Sequence, residues 1–191
     1  MKNLFTALFL IITLTSFCPT NNNTPDNEAL IKLYIKARNN YKTSKIITLV
    51  DKGYKETFVD GSLEIKDLEH LKETILFQKG IESKIKLISL ESTDENTVTT
   101  IEEYSSYIDI ALGRKLRTFK IIYTIKNGRI LNQKMIPLKG YDEITEFNIK
   151  CWGKFTDFCS KNKVEFDDSK MNYEMAVNLK QALEKYLNSK K

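Results

Sequence analysis

Apolar residues along this chain recur first at helical spacing, then at extended spacing, then at helical spacing again. From Glu28 to Asn40, residues Ala29, Leu30, Leu33, Tyr34, Ala37 and, just beyond, Tyr41 fall three and four apart, which predicts a helix laying one stripe on a core. Asp26 or Asn27 can cap its start. A second short helix is predicted over Ser44 to Val50, ended by Gly53, and Tyr54 to Asp60 forms an extended piece closed by Asp60-Gly61. A third helix is predicted from about Lys66 to Gln78, with Leu68, Leu71, Ile75 and Leu76 facing inward and Gly80 beyond its end.

After Gly80 the period becomes that of strands. Ile85, Leu87, Ile88 and Leu90 make one strand, and the Thr93-Asp94-Glu95-Asn96 cluster turns the chain into a long second strand from Thr97 to Ile110. Gly113 marks the next turn. Leu116 to Ile125 is the third strand, and Lys126-Asn127-Gly128 supplies the residues a tight hairpin wants at positive φ before the fourth, Arg129 to Pro137. Four strands joined by sequential turns predict an antiparallel meander. Phe119, Ile121, Tyr123 and Ile125 make one face of the third strand wholly apolar, and this face is assigned to the side covered by helices.

Beyond Gly140 two amphipathic helices are predicted. Ile144, Phe147, Cys151, Phe155 and Phe158 mark the first, and Met175, Leu179, Ala182, Leu183 and Tyr186 the second. The fold class is therefore α+β, with three N-terminal helices, a four-stranded curved antiparallel meander and a C-terminal helical pair packed on the same domain.

The first 18 residues have a different character. Lys2 precedes the apolar run from Leu4 to Leu14, which is shorter than the roughly 20 residues a membrane-spanning helix needs and matches the core of an export signal. Thr15-Ser16-Phe17-Cys18 resembles the lipobox of bacterial lipoproteins, which places Cys18 as a lipidation site, although Phe17 departs from the small residue usual there. The expected organisation is a signal peptide over 1–18, a polar tether over 19–27, the main domain over 28–140 and the helix pair over 141–191. Such a chain is exported and held at a membrane by its lipid.

Composition removes several function classes. There are 30 basic residues against 25 acidic ones, a formal charge of +5, but the two signs alternate along the chain, so nucleic acid is not expected as a partner. Cys151 and Cys159 lie eight apart in one predicted helix, about 12 Å by the helical rise, beyond the reach of a disulfide. With His70 the single histidine, expected on an exposed helix turn, neither a Cys/His metal site nor Cys-His catalysis has material. No metal or other cofactor is expected.

The order of elements resembles the nuclear transport factor 2-like superfamily and its SnoaL-like branch. The likeness covers about Glu28 to Leu138 and rests on Tyr34-Ile35, on Gly53-Tyr54 through Phe58-Val59-Asp60-Gly61, on Lys66-Asp67-Leu68-Glu69, and on Lys126-Asn127-Gly128-Arg129-Ile130. It implies a cone whose open end is an apolar pocket. It also implies, for an isomerase-like member, Asp60 as a base beside a carbonyl and Tyr34 as an oxyanion donor, with Lys120 where a second acid would stand.

Members of that superfamily differ in function, so the residues must decide. On the long second strand, Glu103, Tyr107 and Asp109 share one side and Glu102 and Tyr104 the other, and either side could bring polar groups to a pocket. The expected function is binding of a small apolar ligand, or of a protein partner, without chemistry, at Phe119, Ile121, Tyr123 and Tyr107. The alternative is proton-transfer catalysis by Asp60 and Tyr34. A third reading has the C-terminal helices plug the cone, or the open sheet face form a homodimer.

Overall fold

A computed structural model describes residues 26–166 and 171–190. The export segment, Cys18 and the tether up to residue 25 lie outside the described residues. Helices α1 (Asn27–Asn39) and α2 (Thr43–Leu49) open the fold, followed by strands β1 (Val50–Phe58) and β2 (Leu63–Ile65) and helix α3 (Leu68–Gly80). Strands β3 (Lys84–Asp94) and β4 (Thr97–Ser105), helix α4 (Tyr107–Leu112), and strands β5 (Arg117–Lys126) and β6 (Arg129–Pro137) come next. The chain then enters α5 (Tyr141–Asn162) and α6 (Tyr173–Asn188).

Local chemistry explains where the helices start. The Asp26 carboxylate accepts from Ala29 N at the head of α1, and the Asp67 carboxylate from His70 N at the head of α3, each satisfying a backbone donor that the helix leaves free. The buried stripe of α1 is Ile31, Tyr34, Ile35, Ala37 and Arg38, so its inner face is rotated from the predicted one and Leu33 is partly exposed. The tight turn between β5 and β6 has Asn127 at φ 52° and Gly128 at φ 69°, the left-handed pair that a two-residue hairpin requires.

Six strands form one sheet in the order β2-β1-β6-β5-β4-β3. The meander of β3 to β6 is antiparallel, as its sequential turns imply. The extended piece before Asp60 corrects the four-stranded expectation, because it joins the sheet as β1, parallel to β6 and antiparallel to β2. Turn residues report only hairpins, and a parallel partner some 80 residues away leaves no local mark.

The predicted second strand also ends early. It stops at Ser105, and Tyr107 to Leu112 form helix α4 instead, closed by Gly113 at φ 64°. The Ser106 hydroxyl bonds the Asp109 carboxylate at 2.7 Å across the first turn of that helix, an arrangement extended backbone cannot offer.

Two apolar clusters result. The larger lies between α1, α2, α3 and the concave face of the sheet, with Ile31, Tyr34, Ile75, Ile121 and Tyr123 fully buried. The second joins the end of α3 and one face of α4 to α5 and α6 through Phe77, Leu112, Phe155, Leu179 and Leu183. Gly80 ends α3 directly against Ala176 of α6, and the missing side chain permits that approach. Cys151 and Cys159 carry free thiols in α5, Cys159 buried and Cys151 half-buried.

Candidate functional site

A cavity of about 310 Å³ opens between α3, α4 and the concave face of the sheet. Strand register determines what faces it. Glu56 of β1 sits beside Gln133 of β6, which pairs with Tyr123 of β5, while Phe58 sits beside Met135 and Glu102 opposite Phe119. Because side chains alternate along each strand, these residues all point to the helical side.

The floor of the cavity is polar. Arg38, one turn after Tyr34 on α1, donates from Nη1 to Glu56 Oε1 at 2.7 Å and to the Tyr34 hydroxyl at 2.7 Å. The Tyr54 hydroxyl reaches the same Glu56 oxygen at 2.7 Å and lies 2.7 Å from the Tyr34 hydroxyl. The other carboxylate oxygen, Oε2, receives only the Gln133 amide, at 3.4 Å. Arg38 Nη2 extends the network to Gln78 of α3 at 3.2 Å.

A second buried carboxylate lies three strands across the sheet, on β4. Glu102 has no exposed surface and accepts from Thr100 at 2.6 Å, Tyr123 at 2.8 Å and Tyr104 at 2.9 Å. Burial pushes its pKa up, against the pull of those three hydroxyl donors. Burial likewise raises the phenols of Tyr34, Tyr54, Tyr104 and Tyr123, so all four stay protonated donors across the physiological range. Burial opposes the charge of Arg38, but the oxygens of Tyr34 and Glu56 hold its pKa above the usual value.

Apolar side chains form the walls, chiefly Phe58, Ile65, Phe77, Ile81, Phe119 and Met135. Glu64, His70, Asp109, Arg114 and Arg117 add polarity. Burial, and then the charge of Glu56, raises the Glu64 carboxyl. His70 is half-buried on the wall with its Nδ1 atom enclosed and unbonded, not on an exposed turn. The lining is amphipathic where an apolar pocket was expected.

The residues singled out from sequence separate in space. Asp60 stands exposed in the turn after β1, where its carboxylate accepts from the Ser62 amide at 2.9 Å and hydroxyl at 2.7 Å, which lowers its pKa. Asp-Gly turn chemistry thus accounts for it, and it lies off the cavity. Tyr34 is fully buried beneath the floor, so the structure does not bring these two residues into one site. Lys120 points to the opposite sheet face from Phe119 and Ile121.

Phe119 lines the cavity, while Ile121 and Tyr123 are core residues behind it. Tyr107 lies on α4 against the second cluster, under the Lys180 ammonium at 4.9 Å, because the strand that would have turned it toward the pocket ends at Ser105. Among the described residues of the C-terminal region, only Met171, just ahead of α6, reaches the cavity wall, whereas Trp152 and Phe155 pack on Phe166 and do not plug it. No group of three metal-ligating side chains occurs among the described residues, and no described helix is long and apolar enough to cross a membrane.

Arg38, Glu56 and Gln133 were not expected at a site. Glu56 had a visible sign: it shares the inward side of one strand with Tyr54 and Phe58, an acid placed in an apolar row.

No protein-family model matches this sequence, and no curated protein is significantly similar to it. Solved structures do resemble it. An LEH-like epoxide hydrolase of M. tuberculosis aligns at 12% identity over 68% of this chain and 94% of its own, with a TM-score of 0.51. A cystatin-fold protein from Novosphingobium aromaticivorans, itself uncharacterized, aligns at 12% identity over 58% and 97%, with a TM-score of 0.50. An NTF2-like protein of unknown function from Cytophaga hutchinsonii aligns at 13% identity over 56% and 84%, with a TM-score of 0.44.

The shared architecture is a curved, mainly antiparallel sheet with helices on its concave face. At these identities the likeness extends to the fold alone.

Proposed function

We propose that this chain is an exported, lipid-anchored domain that holds a small amphipathic molecule in its NTF2-like cavity and performs no chemistry on it. The observation that carries this reading is a cavity of about 310 Å³ with apolar walls over a floor of mutually bonded polar groups. That volume falls within the range of small-molecule sites, and a few placed polar groups among apolar ones orient a ligand. Arg38 and Glu56 of the floor are held to each other and to Tyr34 and Tyr54 beneath them, so the floor is set before a ligand arrives.

The test is organic extraction of the chain purified from its own host, followed by mass spectrometry, beside Thr74→Trp, which fills the cavity from α3. A small molecule released by the wild type and missing from the variant supports the reading. No molecule, or equal amounts from both, contradicts it. Anchoring is tested separately by fatty-acid labelling of wild type and Cys18→Ala: label on the wild type alone supports it, and equal labelling refutes it.

One observation favours a second, catalytic reading. Glu56 faces the cavity with Oε1 fixed by two strong donors and Oε2 bonded only at 3.4 Å, the arrangement of an oriented base. In that reading Glu56 takes the role first assigned to Asp60. Incubating the recovered molecule with wild type and Glu56→Gln separates the two: conversion by the wild type alone establishes catalysis, and recovery unchanged from both establishes binding.

A further inference from the structure

A second cavity, of about 250 Å³, is lined by Arg114 and Arg117 at the entry to β5 and by Thr145, Asn148, Ile149 and Trp152 of α5. It shares the two arginines with the main cavity and nothing else. We propose that it is a binding site for an oxyanion, the carboxylate or phosphate group of a small organic molecule whose apolar part rests on Trp152 and Ile149.

Two buried donors of this lining have no hydrogen-bond partner, and a second guanidinium stands beside them. Arg114 Nε is buried with no hydrogen-bond partner, although Asp109 Oδ1 lies 3.4 Å away without bonding geometry and Asp109 belongs to the wall of the other cavity. The Thr145 hydroxyl is also buried and unbonded. Arg117 forms no ion pair among the described residues, and its charge bears on Arg114, whose pKa burial already lowers. Arg114 is ion-paired with Asp109, but Arg117 beside it has no carboxylate within ion-pair distance among the described residues and none belongs to this lining, so the two guanidinium groups together keep a net positive charge. An oxyanion with several acceptor oxygens answers each donor at once, and guanidinium groups suit carboxylate and phosphate geometry.

Asn148 has a different part. Its side chain accepts from Lys115 N at 2.9 Å and donates to Lys115 O at 2.9 Å, so it clamps the backbone between the two arginines and positions both. The opposite wall is apolar: Ile149 is 64% exposed, and Trp152 stacks at a tilt on Phe155. This combination selects an aromatic or aliphatic acid over a bare ion. The inference does not depend on occupancy of the main cavity.

Trp152 is the single tryptophan of the chain and lines the site, so its fluorescence reports binding directly. The full-length chain in a non-ionic detergent is titrated with inorganic phosphate, benzoate, phenyl phosphate and uncharged benzyl alcohol. The proposal expects a saturable change with benzoate, phenyl phosphate or both, the pattern naming the acid type. It expects binding weakened about tenfold or more in Arg117→Gln and in Thr145→Val, the loss that removing one charge-assisted hydrogen bond produces. Unchanged affinity in both variants overturns it. So does benzyl alcohol binding as tightly as benzoate, or the absence of saturable change with every anion. Thr145→Val preserves shape, so it keeps the test valid if Arg117→Gln fails to fold.

Discussion

Arg38 Nη1 lies 2.7 Å from Glu56 Oε1 with both side chains buried, and this ion pair joins α1 to β1 at the floor of the cavity. Removing one partner leaves the other charge enclosed and unpaired, which costs about 3–5 kcal/mol. Arg38→Met should therefore lower stability by that amount in urea unfolding. Arg38→Met combined with Glu56→Leu should cost less than the sum of the two single changes, because no orphan charge remains. Strict additivity would show that the pair is not coupled.

Gly80→Ala inverts a general rule. Alanine in a helix is normally better than glycine by about 1 kcal/mol. Here the added Cβ would collide with that of Ala176, and backbone atoms of Tyr173 and Ala176 stand close behind it. The variant should be destabilised by about 1–3 kcal/mol through overpacking, read as a lower Tm, and Ala176→Gly should recover part of the loss. A more stable Gly80→Ala would mean that α6 does not pack on α3 as described.

Glu102 sets a pH dependence. Burial holds its native pKa above the usual carboxylate value, so the native state keeps the proton over an interval in which the unfolded chain has lost it. Its contribution is complete below the ordinary value, about pH 4, and declines as pH rises toward the native value. Glu102→Gln cannot titrate. The stability of the wild type relative to this variant should thus fall as pH increases from about 4; a difference that is flat or rises would reverse the sign of the shift.

Asp60→Asn should leave the small molecule recovered from the cavity unchanged in amount, because Asp60 is exposed and bonded to Ser62. Gln133→Leu, on the floor, should reduce it. The extraction experiment reads both, and loss of the molecule in Asp60→Asn alone would restore the aspartate to the site.

Much of the fold was legible where the signal is local. Asn127-Gly128 announced the β5–β6 hairpin, Asp26 was one of two residues offered as the cap of α1 and is the one that caps it, and the alternation from Phe119 to Ile125 identified the buried side of β5. Two failures arose where distant contacts decide. The parallel pairing of β1 with β6 depends on residues such as Phe58 and Met135 meeting across the sheet, which no short window contains. At Ser106 the alternation of Tyr107 to Ile110 suited a strand, but packing of Ala111 and Leu112 on the C-terminal helices favours a helix.

The site was less legible for the same reason. Asp60 carried the stronger pattern because turn chemistry and catalytic resemblance coincide at Asp-Gly. Glu56 acquires meaning only once Arg38, two elements earlier, is placed against it at 2.7 Å.

The central claim is that a ligand enters the cavity above that pair, and four methionines allow a direct test. Met135 and Met171 line the cavity, whereas Met175 packs in the second cluster. With the methionine methyl groups labelled with carbon-13, adding back the molecule extracted from the host protein should shift the NMR signals of Met135 and Met171 and leave Met175 in place. A shift confined to Met175, or no shift at any methionine, would contradict the account.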